Sequence, residues 1–271
     1  MRIRILLTLI TLTIVVCFSS IASAGIDDGL IVYYSFDEST GDTASDASKH
    51  NNDAKLTGSA KWEPNDGKID GALRLDGTGS SAVDDDGADY INGLTEFSVS
   101  IWVKSDTAPH DRGIFIAKEP AGGDDTFTLR YDSAGFKAPA ATSLIKAGFT
   151  TSGGGIQYES ADNTQTTEWQ HLVVTWSSGD PVALYIDGVL DEPQYNQDVR
   201  TGNISSASTF IVGRGGKDNG GTSWTGLIDD VRIYDRVLAE NEITELASGV
   251  LAVEADGKLA TTWADLKQKR D

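Results

Sequence analysis

Residues 37–53 carry a dense set of hard-oxygen side chains: Asp37, Asp42, Asp46, Ser48, Asn51, Asn52 and Asp53. Calcium takes roughly six to eight oxygen ligands from carboxylates, amides, backbone carbonyls and water, so this loop is a candidate for holding it. A further acid stands far away in sequence. Strand alternation over Leu227–Asp235 puts Leu227, Asp229, Val231 and Ile233 on one face, and Ile228, Asp230, Arg232 and Tyr234 on the other. The first face is the more apolar, which makes it the expected core side, and a carboxylate there must be paired, hydrogen-bonded or bound to a metal. Placed beside the loop, Asp229 would add a ligand to a calcium site. Alternatively, Asp229 accepts loop amides and the loop acids form only Asx turns.

Sugar recognition is the second chemistry the sequence offers. It pairs an aromatic platform with polar groups that orient hydroxyls. Trp224 follows the Gly-rich run 215–221, and Tyr131, Tyr158, Tyr195 and Trp62 also have polar neighbours. The competing reading for each ring is core or rim packing. Trp102 and Trp176 lie inside strong strand patterns and are read as core.

Catalytic patterns are sparse. The nearest approach to a Glu-x-Asp-x-Glu glycosidase strand is Glu254-Ala255-Asp256-Gly257-Lys258, with lysine in place of the last acid. Neither a G-x-S-x-G elbow nor an H-E-x-x-H helix occurs, and the histidines are His50, His110 and His171. Asp84-Asp85-Asp86-Gly87 is not an EF-hand loop, because Ala82 stands at its first ligand position and Gly93 at its last. No catalytic residue is assigned.

The elements that would position these groups are short strands. Residues 29–37 open with an apolar run, and 38–54 form one polar loop. Phe97, Val99, Ile101 and Val103 alternate with polar or aromatic residues. His171–Trp176 and Val182–Ile186 flank a Ser-Ser-Gly-Asp-Pro turn, and shorter strands are expected at 69–75, 114–118, 127–131, 156–158 and 210–214. Residues 240–246 read as a small closing helix. Many short strands with Gly-rich turns imply an all-β, two-sheet antiparallel jelly-roll sandwich.

Five segments resemble, in order, the laminin-G-like jelly-roll domains of the concanavalin A-like lectin/glucanase superfamily. They are GLIVYYSFDESTGDTASDAS at 29–48, LTEFSVSIWVKSD at 94–106, EWQHLVVTWSSGDPVALYIDGVL at 168–190, FIVGRG at 210–215 and GLIDDVRIYDRVLAENEI at 226–243. The resemblance implies a calcium where the first-strand loop meets the last strand, carried by Asp46 and Asp229 with Asp37 and Asn52 beside them. It does not fix the function, since the fold hosts lectins, enzymes and adhesive modules.

Composition bounds the rest. Arg2 and Arg4, an apolar run from Ile5 to Phe18, and Ala22-Ser23-Ala24 form a cleavable export signal. The apolar run is shorter than the roughly 20 residues a spanning helix needs, so no membrane insertion is expected after cleavage. The expected organisation is a signal peptide at 1–24, one laminin-G-like domain at 25–248 and a C-terminal tail at 249–271. Cys17, the sole cysteine, lies in the signal, so the exported chain is disulfide-free. The net charge of −19 repels phosphate backbones, which excludes nucleic acid as a natural partner. The expected protein is a secreted, periplasmic or cell-surface binding module without catalysis. It would carry a structural Ca2+ and recognise an extracellular glycan or a cell-surface protein, with Trp224, Tyr131 and Tyr158 as candidate ligand contacts. The alternatives are an architectural or adhesive envelope protein and a glycoside hydrolase of the same superfamily.

Overall fold

Along Glu96–Ser105, Phe97, Val99, Ile101 and Val103 enter one buried cluster, while Ser98, Ser100 and Trp102 lie on the other side of the strand. Repeated across neighbouring strands, this period of two builds the molecule. The computed structural model describes residues 25–85, 88–118, 125–134, 142–196, 199–204, 207–214 and 223–249. The expected signal peptide, and the expected tail beyond Gly249, lie outside the described residues.

In chain order the strands are β1 (Leu30–Tyr34), β2 (Thr43–Ala44), β3 (Ala54–Thr57), β4 (Lys61–Glu63), β5 (Ala72–Asp76), β6 (Ser81–Asp84), β7 (Glu96–Ser105), β8 (Arg112–Lys118) and β9 (Asp125–Asp132). They continue as β10 (Leu144–Thr151), β11 (Gly154–Glu159), β12 (Gln170–Ser177), β13 (Ala183–Ile186), β14 (Val189–Leu190), β15 (Tyr195–Asn196), β16 (Thr209–Val212) and β17 (Thr225–Tyr234), followed by helix α1 (Glu240–Ala247). One sheet runs β14-β13-β12-β7-β17-β5-β4, with β1 also pairing β17. The other runs β15-β11-β10-β9-β8-β16-β6-β3-β2. All named strand pairs are antiparallel, so the fold is the expected two-sheet jelly-roll sandwich.

The main core lies between the sheets. Phe97, Phe127, Phe149 and Trp176 pack there with ring centroids 5.1 to 6.2 Å apart. A smaller cluster lies on the outer face of the first sheet, where Leu238, Ile243 and Leu246 of the α1 region cover Leu30, Val173 and Tyr234. The Arg236 guanidinium grips Glu242 through two hydrogen bonds of 2.7 Å, and the same carboxylate accepts the Ala239 amide at the helix start. That arrangement satisfies an orphan N–H of the short helix.

Strand β17 departs from regular alternation, and the departure sets the site. Its first part pairs β5 through Thr225–Ile228, and its last part pairs β1 through Val231–Tyr234. Between these pairings, Asp229 opposes Trp102 and Arg232 opposes Ser100, so one extra residue is inserted, and Asp230 adopts φ +48°. Aspartate is among the few residues that tolerate this left-handed region in a bulge. The extra residue resets the period. Ile228, Val231 and Ile233 face the inter-sheet core, whereas Asp229 is buried outside that cluster. The expected core face of Leu227, Asp229, Val231 and Ile233 is therefore corrected: unbroken alternation does not survive the bulge. Trp102 is likewise buried but on the outer side, where its ring lies 4.8 Å from His171 and beneath Lys68 Nζ at 4.5 Å.

Candidate functional site

Asp229 occupies the gap in the sheet where β5 pairing has stopped and β1 pairing has not begun. Two loops close over it, one leaving β1 and one entering β5. Its Oδ2 accepts the Lys68 and Ile69 amides at 2.8 and 2.9 Å, and Asp37 Oδ1 accepts the Gly71 amide of the same loop at 2.8 Å. Asp229 Oδ1 is buried and has no hydrogen-bond partner. Burial drives the Asp229 pKa up to about 8; the two loop amides oppose the rise, and the Asp230 and Asp37 charges add to it. Without a counter-charge the Asp229 carboxyl is thus mostly protonated at neutral pH, and one of its buried oxygens has no partner.

The neighbouring positions are also polar and buried. Asp230 forms an ion pair with Arg232 at 2.5 Å, and the guanidinium lies 3.9 Å from the Tyr33 ring centroid. His171 Nε2 meets Ser100 Oγ at 2.8 Å, while its buried Nδ1 has no hydrogen-bond partner. Burial, with Arg232 and Lys68 nearby, pushes the His171 pKa down to about 3, so the ring is neutral at physiological pH.

Asp46 and Asn52 belong to a different arrangement. Asp46 accepts the amides of Tyr33, Ser48 and Asn52 at 2.9 to 3.0 Å and the Ser48 hydroxyl at 2.8 Å. The Asn52 amide group donates to Ile31 O at 2.9 Å. This is the Asx-turn arrangement weighed from sequence, and it pins the 46–52 turn to β1. The structure joins Asp37 to Asp229 through one loop and Asp46 to Asn52 through another. Among the described residues, no group of three or more His, Cys, Asp or Glu side chains is placed to hold a metal.

The three aromatics expected at a sugar platform are interior. Trp224 and Tyr131 have no exposed surface, and Tyr158 is 1% exposed. Trp224 and Tyr131 meet edge-on at 5.1 Å, with Trp224 Nε1 donating to Leu227 O at 3.2 Å and Tyr131 OH bonding Gln170 Oε1 at 2.7 Å. Tyr158 OH donates to Asp191 at 2.7 Å. Their rings contribute area to the core and present no open face to a sugar.

The open polar surface lies instead on the outer face of the nine-stranded sheet. There a depression of about 310 Å³ spans β9, β10 and β11, with Thr128, Arg130, Lys146, Gly148, Gln157 and Glu159 in its lining. Cross-strand register builds it in two rows. Arg130 opposes Lys146, which opposes Glu159; Thr128 opposes Gly148, which opposes Gln157. Lys146 Nζ lies 3.1 Å from Asp132 and 3.5 Å from Glu159, and Arg130 pairs with Asp132 at 2.7 Å. Gly148 lowers one side of the floor. Its backbone does not demand glycine, since a Cβ there would meet its nearest atoms at an ordinary 3.4 to 3.5 Å.

Sequence reasoning missed this bed because its expected strands at 127–131 and 156–158 leave out β10 between them. The available signal was alternation: Leu144-Ile145-Lys146-Ala147-Gly148-Phe149 places Ile145, Ala147 and Phe149 inward and Lys146 and Gly148 outward.

The Laminin_G_3 family, described as the concanavalin A-like lectin/glucanases superfamily, matches residues 75–244. No curated protein matches the chain. Domain 4 of an extracellular GH43 arabinanase from Geobacillus stearothermophilus, solved in complex with arabinotriose, is similar at 26% identity and a TM-score of 0.56, covering 80% of this chain and 98% of that one. The binding domain of Paraclostridial mosquitocidal protein 1 shares the fold at 15% identity and a TM-score of 0.63, with coverage of 82% and 52%. Trypanosoma rangeli sialidase in complex with sialic acid shares it at 18% identity and a TM-score of 0.59, with coverage of 83% and 34%. The fold is thus common to binding domains and to parts of glycosidases. Residues 75–244 make up more than half of the sequence, and the chain belongs to the Laminin_G_3 family of the concanavalin A-like lectin/glucanases superfamily.

Proposed function

We propose that this chain is an exported, non-catalytic module that binds extracellular carbohydrate on the outer face of its nine-stranded sheet. The polar depression over β9–β11 carries the reading. Its volume suits a small ligand, Thr128, Arg130 and Gln157 offer donors and acceptors to hydroxyl groups, and the buried charges of Lys146 and Glu159 are ion-paired in advance. Paired charges suit a neutral sugar better than an acidic one, because an incoming anion would compete with Asp132 and Glu159 for Lys146. The similarity to an arabinanase domain solved with arabinotriose supports a glycan as ligand.

A structural calcium is part of the proposal, held by Asp229 and Asp37. The buried Asp229 Oδ1, without a hydrogen-bond partner, is open to a cation whose charge would offset the burial that raises its pKa, with backbone carbonyls and water completing the ligand set. Asp46 and Asn52 fit less well, since all four Asp46 contacts are already protein donors. The ion would compensate the two acids and lock the 66–71 loop onto β17. Export by the N-terminal segment, to the secreted, periplasmic or cell-surface space, completes the reading.

A second reading, a protein partner, draws on one observation. Val189 and Leu190 are 69% and 52% exposed on the edge strand β14, which offers an apolar sheet edge. A glycan panel run with the parent and with Gln157→Ala, in calcium and in chelator, separates the two. Saccharide binding lost in Gln157→Ala supports the first reading. A blank panel for the folded parent overturns it.

A further inference from the structure

The same outer face holds a second depression, of about 740 Å³, over β2, β3 and β6, lined among others by Thr43, Asn51, Asp53, Lys55 and Asp85. Register connects the two depressions. From one end, Lys55 opposes Val83, which opposes Ile211; from the other, Gln157 opposes Gly148, which opposes Thr128, and Ile116 joins the halves. Lys55 and Gly148 therefore stand on one line perpendicular to the strands. They are five strand steps apart, about 24 Å at ~4.8 Å per step. Between them Ile211 is only 5% exposed, so one covered apolar position separates two open polar ends.

We infer that this second depression is a further carbohydrate site, so that one extended glycan chain engages both ends of the sheet face. The inference rests on the reading of the first depression given above. Asn51 and Lys55 are exposed, and their side chains make no hydrogen bond or ion pair among the described residues, leaving an amide and an ammonium free for hydroxyl groups. Asp53 accepts the Asp46 amide at 2.8 Å, which fixes its carboxylate at the rim. The 46–52 turn is itself held by the four contacts to Asp46, so the wall of the cavity is preorganised. Asp53, Asp84 and Asp85 outnumber Lys55 in this lining, so it selects neutral over anionic polysaccharide. Two sites on one face convert a second contact into an intramolecular one, so a polymer binds more tightly than either site alone by a factor on the order of 100 or more.

Calorimetric titration of the full exported chain tests this. Arabinotriose, xylotriose and cellotriose serve as probes too short to bridge the sites, and arabinan, xylan and soluble β-glucan as polymers. One variant, Asn51→Gly with Lys55→Thr, removes the second site's free groups while tolerating the positive φ of Asn51; the other is Gln157→Ala. Circular dichroism confirms that both are folded. The expected result is two trisaccharides per parent chain, one per chain in either variant, and a roughly 100-fold loss of polymer affinity in either. One trisaccharide per parent chain, abolished by Gln157→Ala and untouched by Asn51→Gly/Lys55→Thr, overturns the second site and leaves the first standing. No saccharide binding to the folded parent overturns both.

Discussion

Asp37 and Asp229, 192 positions apart in sequence, clasp one loop: Asp37 takes the amide of Gly71 while Asp229 takes those of Lys68 and Ile69. The clasp exists because β17 is shared end to end by β5 and β1, which leaves Asp229 uncovered by either strand. Asp37 stays exposed at the mouth of that gap, while Asp229 is fully buried where water cannot relax a charge.

Asp229→Asn keeps an acceptor for both amides and removes the charge. In chelator near pH 8 it is expected to melt at least as high as the parent. Calcium at about 100-fold over its Kd should stabilise the parent by about 2.7 kcal/mol and the variant by much less. Equal calcium shifts in thermal melts of the two proteins would remove Asp229 from the ion site.

Asp46→Ala is expected to behave differently. It deletes an acceptor of four hydrogen bonds, each with a net value of about 1 kcal/mol, and leaves three amides and a hydroxyl to find other partners. The predicted loss is about 3 kcal/mol, of the same size in calcium and in chelator. A loss confined to calcium buffer would return Asp46 to the metal site.

Two buried groups give the stability opposite pH slopes. Asp229, raised to about 8 when folded, binds its proton more tightly in the native state, so in chelator its contribution is lost as pH rises from the ordinary carboxylate range through 8. His171, lowered to about 3 when folded, is native only in its neutral form, so stability is lost as pH falls below its ordinary value of 6.5 towards 3. Denaturant titrations across pH 4–9 in chelator should show a decline above pH 6.5, where the His171 slope has ended and that of Asp229 continues, and calcium should flatten it. Asp229→Asn should abolish the decline, and His171→Gln should remove the opposing acid-side slope.

Arg232 and Asp230 are 1% and 3% exposed and paired at 2.5 Å. Arg232→Met strands a carboxylate in the interior and is expected to cost about 3–5 kcal/mol by urea unfolding. Adding Asp230→Asn, which tolerates the positive φ, should recover part of that loss. If the double variant is no more stable than Arg232→Met, the penalty comes from lost packing on Tyr33 rather than from the stranded charge.

The sandwich was legible because residues such as Phe97, Val99, Ile101 and Val103 advertise a face without outside help. The hairpin of β12 and β13 and the helix at 240–247 were equally local. Asp229 was found as an oddity but assigned to the wrong face, since a bulge at Asp230 is a matter of pairing between β17 and β7 and leaves no local mark in the sequence. The candidate sugar bed was hidden for a related reason. Arg130, Lys146, Gln157 and Glu159 come from three strands and meet only through register. Trp224, Tyr131 and Tyr158 drew attention by residue type, yet the sandwich used them as filling, where large rings bury the most surface.

The central claim, that glycan binds over β9–β11, is tested most directly with Gly148→Val. A branched side chain suits a strand, and the surrounding atoms leave ordinary contact distances at Cβ, so the fold should persist with an unchanged far-ultraviolet spectrum and melting temperature. The account predicts that saccharide affinity at this depression falls at least tenfold, because the added carbons rise from its floor. Undiminished binding by a folded Gly148→Val protein would place the glycan elsewhere and contradict the account.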